Sequence, residues 1–146
     1  ADYLAQKLVR ETSLREVVAL RASDTLGQVR RWLESRAPGS SHQGYPLVDD
    51  SGQLVGVLTR RDLIGSEENE SVQLSALVRR APVVVFTDNT LRDAADQMVR
   101  AGVGRLPVVE RGTPRKVVGM ISRSDLLTAH AGRLNAGKRR RSRVKL

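Results

Sequence analysis

Residues 53–64, QLVGVLTRRDLI, and residues 116–127, KVVGMISRSDLL, match position by position at a spacing of 63 residues. In each, an apolar run containing a glycine (Gly56, Gly119) leads into a hydroxyl residue (Thr59, Ser122), and an aspartate follows three positions later (Asp62, Asp125). A chain of 146 residues that repeats itself this way folds as two copies of one small unit. Units of ~60 residues bury only a marginal core alone, so the halves are expected to lean on each other. Two equivalent units predict a paired binding module rather than an enzyme with one active site.

The repeat reaches upstream, and its spacing drifts only where loops are expected. Thr25-Leu26, Val29 and Leu33 map onto Thr90-Leu91, Ala94 and Met98 at 65, whereas Tyr45-Pro46-Leu47-Val48 maps onto Leu106-Pro107-Val108-Val109 at 61. The first copy therefore carries extra residues between its helix and its next strand, placed at Ala37-Pro38-Gly39-Ser40-Ser41. The second carries a longer hairpin, Arg111 to Arg115, where the first has Asp49-Asp50-Ser51-Gly52. Length changes confined to loops are what a duplicated fold tolerates.

Leu26, Val29 and Leu33 fall at i, i+3 and i+7, and Leu91, Ala94 and Met98 repeat the stripe, which predicts an amphipathic helix in each copy. Val83-Val84-Val85-Phe86 and Val117 to Ile121 are short and rich in branched residues, which predicts strands. The fold class is therefore α/β, each repeat reading strand, helix, strand, strand, helix. Trp32, the single tryptophan, maps onto Gln97 and so lies off the shared core. It is open to two readings, a contact with a partner or an ordinary half-buried position.

Composition narrows the setting. The chain has no cysteine, which excludes disulfides and thiolate metal sites. No apolar stretch approaches the ~20 residues of a membrane span. The net charge is +9, but seven basic residues and no acidic one lie after Gly132, so the part before it carries only +2. Such a run reads as a solvated, disordered tail, with attraction to anionic lipid or to nucleic acid as the alternatives. Without interleaved aromatic residues, nucleic acid is the weaker of these.

The Thr59/Asp62 and Ser122/Asp125 pairs have a plain structural reading as capping boxes, which Thr90/Asp93 and Thr25/Gln28 share. Capping alone favours acids in the first helical turn. Here Arg60 and Arg61 follow Thr59, and Arg123 follows Ser122, cations whose placement suggests a neighbouring anion such as phosphate.

A glycine, a hydroxyl residue three positions on and an aspartate three beyond that, at the end of a strand, twice, each after a hydrophobic-Pro-hydrophobic strand, resembles a tandem pair of cystathionine beta-synthase (CBS) domains, the Bateman module. Residues 44–48 and 54–64 are similar to the first CBS repeat in the cytoplasmic tails of chloride channels and proton-coupled chloride transporters. The resemblance implies a linker at 1–12 from a membrane domain, repeats at 13–66 and 67–131, and the basic tail at 132–146. It implies a regulatory homodimer in the cytoplasm, attached to an ion-transport domain of the same polypeptide, with two clefts for adenine nucleotides such as ATP, ADP or AMP. No cofactor is required.

One implied cleft joins Ser122, Arg123 and Asp125 to the first strand near Leu20 and Ala22 and to His42, Gln43, Gly44 and Tyr45. The other joins Thr59, Arg61 and Asp62 to Thr87 and to Val103, Gly104 and Arg105. The aspartates are suited to accept hydrogen bonds from ribose hydroxyls, and His42 stands where an aromatic ring can face adenine, unless it is simply a solvated loop residue. Catalysis is not expected: His42 and His130 have no partners at metal-ligand spacing, and no P-loop or nucleophile elbow is present. The alternatives are a stand-alone or enzyme-attached nucleotide-sensing protein and a nucleic-acid regulator acting through the basic tail.

Overall fold

The computed structural model describes residues 2–12, 14 and 16–144, with side chains as far as Leu134. After a short helix α1 (Tyr3–Gln6), the first copy forms β1 (Leu20–Arg21), α2 (Leu26–Glu34), β2 (Gly44–Val48), β3 (Leu54–Thr59) and α3 (Arg60–Gly65). The second forms β4 (Val85–Phe86), α4 (Leu91–Ala101), β5 (Arg105–Glu110), β6 (Thr113–Ser122) and α5 (Arg123–Val144). The expected order of strand, helix, strand, strand, helix is present twice.

Each copy builds one three-stranded sheet, ordered β1-β2-β3 and β4-β5-β6, with the first pair parallel and the hairpin antiparallel. The registers repeat as well: Leu20 faces Leu47 as Val85 faces Val108, and Leu47 faces Gly56 as Val108 faces Gly119. The helices begin where the caps predict. Thr25, Thr59 and Thr90 accept from the backbone N–H three residues on, while Gln28, Asp62 and Asp93 reach back to the N–H of the cap residue. That backbone donor holds the Asp93 carboxyl below the ordinary carboxylate range. Leu26, Val29 and Leu33 are buried under the first sheet, and Leu91, Ala94 and Met98 under the second. Gly102, at φ 66°, ends α4 in the left-handed region and turns the chain into β5.

The cores are completed across the repeat boundary. Leu74, fully buried, with Leu77 and Val78, packs into the first lobe, and Val9, also fully buried, with Leu4 and Leu14, packs into the second. Equivalent hydrogen bonds hold both segments: the N–H of Leu26 donates to Val72 O and that of Leu74 to Asp24 O, while the N–H of Leu91 donates to Lys7 O and that of Val9 to Asn89 O. Residues 1–12, expected as a linker, thus include core of the second lobe, and the stretch after residue 66 includes core of the first. Each lobe alone is too small to seal its apolar face, so each is sealed by an apolar segment from outside its own strand-helix-strand-strand-helix unit. The glycine in each repeated strand makes the passage possible. A Cβ on Gly56 would come within 2.7 Å of Val78, and one on Gly119 within 2.8 Å of Leu14.

Equivalent elements meet between lobes: β3 lies beside β6, and Gly44 at the start of β2 touches Arg105 at the start of β5. This is the pseudo-twofold arrangement that the repeat predicts. Trp32 is partly buried on the first core, edge-on to Tyr45 at a centroid distance of 5.6 Å. The backbone from 132 to 144 continues α5 where composition predicts disorder. It carries Leu, Ala, Lys and Arg, which favour helix, and no proline. The basic side chains beyond Arg133 lie outside the described residues, and with them the expectation of a lipid-binding tail.

Candidate functional site

Among the described residues, two clefts between the lobes have walls that come from equivalent positions. The larger, about 1080 Å³, is walled by Val57, Thr59, Arg61 and Asp62 from the first lobe and by Val103, Gly104 and Arg105 from the second, with Ala81 to Val83 along one side and Ser66 to Glu68 and Arg79-Arg80 around the rim. The smaller, about 150 Å³, is walled by Met120, Ser122, Ser124 and Asp125 on one side and by Ser41 to Gly44 on the other, with Glu16, Val18 and Arg105. A pocket that holds a small ligand usually offers roughly 300–1,000 Å³. Only the larger cleft reaches that range in this conformation.

Six of the seven residues expected for the large cleft therefore meet there; Thr87 does not. Its N–H donates to Val109 O at the far end of β4. In the small cleft, Ser122, Asp125, His42, Gln43 and Gly44 come together, whereas Leu20, Ala22, Tyr45 and Arg123 do not. Leu20, Ala22 and Tyr45 are core residues. The reason is the same in both lobes. The end of the first strand docks onto the core beside β2 or β5, so the cleft is met by the chain approaching that strand, at Glu16 and Val18 or at Ala81 and Val83. These pairs stand 65 residues apart, the helix spacing of the repeat, which is the signal that would have found them.

Tyr45 is used differently. Its hydroxyl donates to Gly39 O at 2.7 Å and accepts from the N–H of His42 at 3.1 Å, and burial pushes its pKa upward. The phenol thus pins the extra residues of the first repeat, and Gly39 rests on Val18. Arg60 also serves this loop, since its guanidinium donates to Ser40 O. Arg60 therefore finds its acceptor in the protein, not in the anion suggested by its place after Thr59. Arg123 is exposed beside Gly104 and donates its backbone N–H to Gly104 O at 2.8 Å, as Arg60 does to Gln43 O. His42 is half-buried on the lip of the small cleft, its ring 5.8 Å from that of Tyr45.

The capping reading of both pairs is realised. Asp62 Oδ2 accepts from the N–H of Thr59 at 2.8 Å, and Asp125 Oδ2 from that of Ser122 at 2.8 Å. A carboxylate has two oxygens, and Oδ1 of Asp62, on the wall of the large cleft, has no hydrogen-bond partner among the described residues. Arg105 is half-buried, and its guanidinium makes no hydrogen bond or ion pair with a described residue. The large cleft thus combines apolar side chains such as Val57, Leu77 and Val83, an acceptor at Asp62, and the cations Arg61, Arg79, Arg80 and Arg105, which outnumber Glu67 and Glu68 on the rim although Arg80 also donates to Ala101 O. This suits a ligand with a flat apolar part, hydroxyls and an anionic end.

The chain is similar to known proteins over most of its length. The uncharacterized protein YtoI of Bacillus subtilis (strain 168) is 33% identical over 102 residues, covering 70% of this chain and 22% of its own length. Inosine-5'-monophosphate dehydrogenase of Methanocaldococcus jannaschii is 27% identical over 123 residues, covering 84% of this chain and 23% of its own. The chain thus spans less than a quarter of either relative. Among solved structures, the cytosolic domain of the Mg2+ channel MgtE in complex with ATP superimposes with a TM-score of 0.66 at 30% identity, over 77% of this chain and 44% of that one. Among the described residues, no helix is long and apolar enough to cross a membrane. The family model for the CBS domain matches residues 9–68 and again 74–132, both matches beginning at the segments that cross between lobes, and the chain belongs to the CBS domain family as a tandem pair.

Proposed function

We propose that this CBS pair is a regulatory module that binds an adenine nucleotide in its large cleft. The carrying observation is the 1080 Å³ cleft in which the Thr59–Asp62 turn of one lobe faces Val103 to Arg105 of the other. In this reading the Asp62 Oδ1 accepts from the ribose hydroxyls, Val57 and Val83 border the adenine, and Arg105 with Arg61 faces the phosphates. The MgtE domain, 30% identical and bound to ATP, supports the assignment. Calorimetric titration with ATP, ADP, AMP and adenosine tests it, and absence of heat and of any thermal shift with all four at millimolar concentration would overturn it.

Two attachments fit such a module. Residues 44–48 and 54–64 resemble the first CBS repeat of chloride channels and transporters, and the likeness to a Mg2+ channel domain favours an ion-transport domain as the regulated partner, with the pair on the cytoplasmic side. The dehydrogenase relative favours an enzyme instead. The flanking reading frame discriminates, since hydrophobic spans support the first and a catalytic domain the second. Self-association through the helices belongs to the same reading: Val99 on α4 and Leu127 on α5 are 82% and 65% exposed. A monomer at all concentrations in sedimentation would remove that part.

A further inference from the structure

Arg105 borders both clefts. Its aliphatic stem lies across Gly44, where a Cβ would sit 2.3 Å from Arg105 Cδ, so the missing side chain at Gly44 is what lets the guanidinium reach the small cleft. The two residues hold the same position in the two repeats, 61 residues apart. Among the described residues, Arg105 is the one side chain that borders both clefts of the repeated fold. That cation has no hydrogen bond or ion pair with a described residue to hold it on either side.

We propose that Arg105 couples the clefts: a phosphate-bearing ligand in the large cleft captures the guanidinium and withdraws it from the small one, changing the room and charge that the small cleft offers. The inference rests on the nucleotide reading above and adds a regulatory consequence. Coupling through a shared residue is reciprocal, so an anion held in the small cleft weakens phosphate binding in the large one. Adenosine, which has no phosphate, fills the large cleft without moving Arg105.

Backbone NMR of the 146-residue chain separates the possibilities, with Val83 and Val103 reporting on the large cleft alone and Val18, Ser122 and Ser124 on the small cleft alone. ATP should shift both sets, and adenosine only the first. Arg105→Met keeps the stem against Gly44 but removes the charge; ATP at saturation should then shift only the first set, with affinity reduced about tenfold or more. Gly44→Ala approaches from the other side. By expelling the stem it should give, without ligand, a small-cleft spectrum close to that of the ATP-bound parent. Loss of the small-cleft response to ATP in the parent, or its persistence in Arg105→Met, overturns the coupling while leaving nucleotide binding intact. No response of Val83 and Val103 to any nucleotide overturns the underlying reading, and a titration with inorganic tripolyphosphate that likewise leaves Val18, Ser122 and Ser124 unmoved overturns the coupling as well.

Discussion

Arg105 lies across Gly44, its Cδ where a Cβ of residue 44 would clash. The same position thus carries no side chain in one lobe and a long cation in the other, and this difference breaks the symmetry of a duplicated fold. Arg105 and the end of the inserted loop pinned by Tyr45 border the small cleft, which offers about 150 Å³ against about 1080 Å³ in the large one. A paired module with one roomy and one narrow site can respond to a ligand in one place and report it in another.

Asp62 and Asp93 make the same capping bonds, at 2.8 and 2.9 Å to the N–H of Thr59 and Thr90, but only Asp62 lines a cleft. Asp62→Ala and Asp93→Ala should therefore destabilise the protein comparably, by about 1 kcal/mol. Only Asp62→Ala should also weaken nucleotide binding, by about tenfold. Urea denaturation and calorimetry on both variants check this; equal affinity in the two would leave Asp62 a cap and nothing more.

Leu74 is fully buried in the lobe that precedes it in sequence. Leu74→Ala should cost about 2–5 kcal/mol. Removing residues 1–9, with Val9, should in turn destabilise the second lobe. Hydrogen exchange resolved by lobe would show the loss in α2 and β2 for the first change and in α4 and β5 for the second. The opposite assignment would contradict the crossed cores.

Gly56→Ala and Gly119→Ala place a methyl group against Val78 and Leu14. Overpacking of this kind should cost about 1–3 kcal/mol. Gly112→Ala, with open space around it, should stay within about 0.5 kcal/mol of the parent. Thermal midpoints that rank Gly112→Ala alongside the other two would show that the strand glycines are not there for the crossing segments.

Burial raises the Tyr45 pKa above the model-compound value of 10.0. The folded state therefore holds the phenolic proton more tightly than the unfolded chain does. The stabilisation is fully present below pH 10 and declines as pH rises through the folded value. Absorbance of the phenolate at alkaline pH should show one tyrosine titrating late. Tyr45→Phe abolishes that step and, by leaving the Gly39 carbonyl and the His42 N–H without their partner, should cost about 1–3 kcal/mol.

Much of this architecture was legible before any coordinates. The spacing of the repeat, the stripes at Leu26 and Leu91 and the four capping pairs describe interactions within a few residues or exact recurrences along the chain, and all of them appear in the fold. The helix starts and loop tips that line both clefts, at Thr59, Ser122, His42 and Val103, came from the resemblance to CBS pairs and not from any local pattern. Less legible was the role of segments that carry no period of their own. Val9 and Leu74 lie in short stretches that no local pattern distinguishes from linker, and Val18 and Val83 precede strands only two residues long.

The amino-acid order by itself determined that there are two equivalent units, where their helices begin, and which face of each is apolar, since these depend on backbone propensity and side-chain periodicity. Only the tertiary structure decided which lobe each connecting segment completes, which end of each short strand faces a cleft, and that Arg105 occupies the space left by Gly44. Those outcomes depend on contacts between residues tens of positions apart, where burial and steric fit, rather than local preference, select the arrangement.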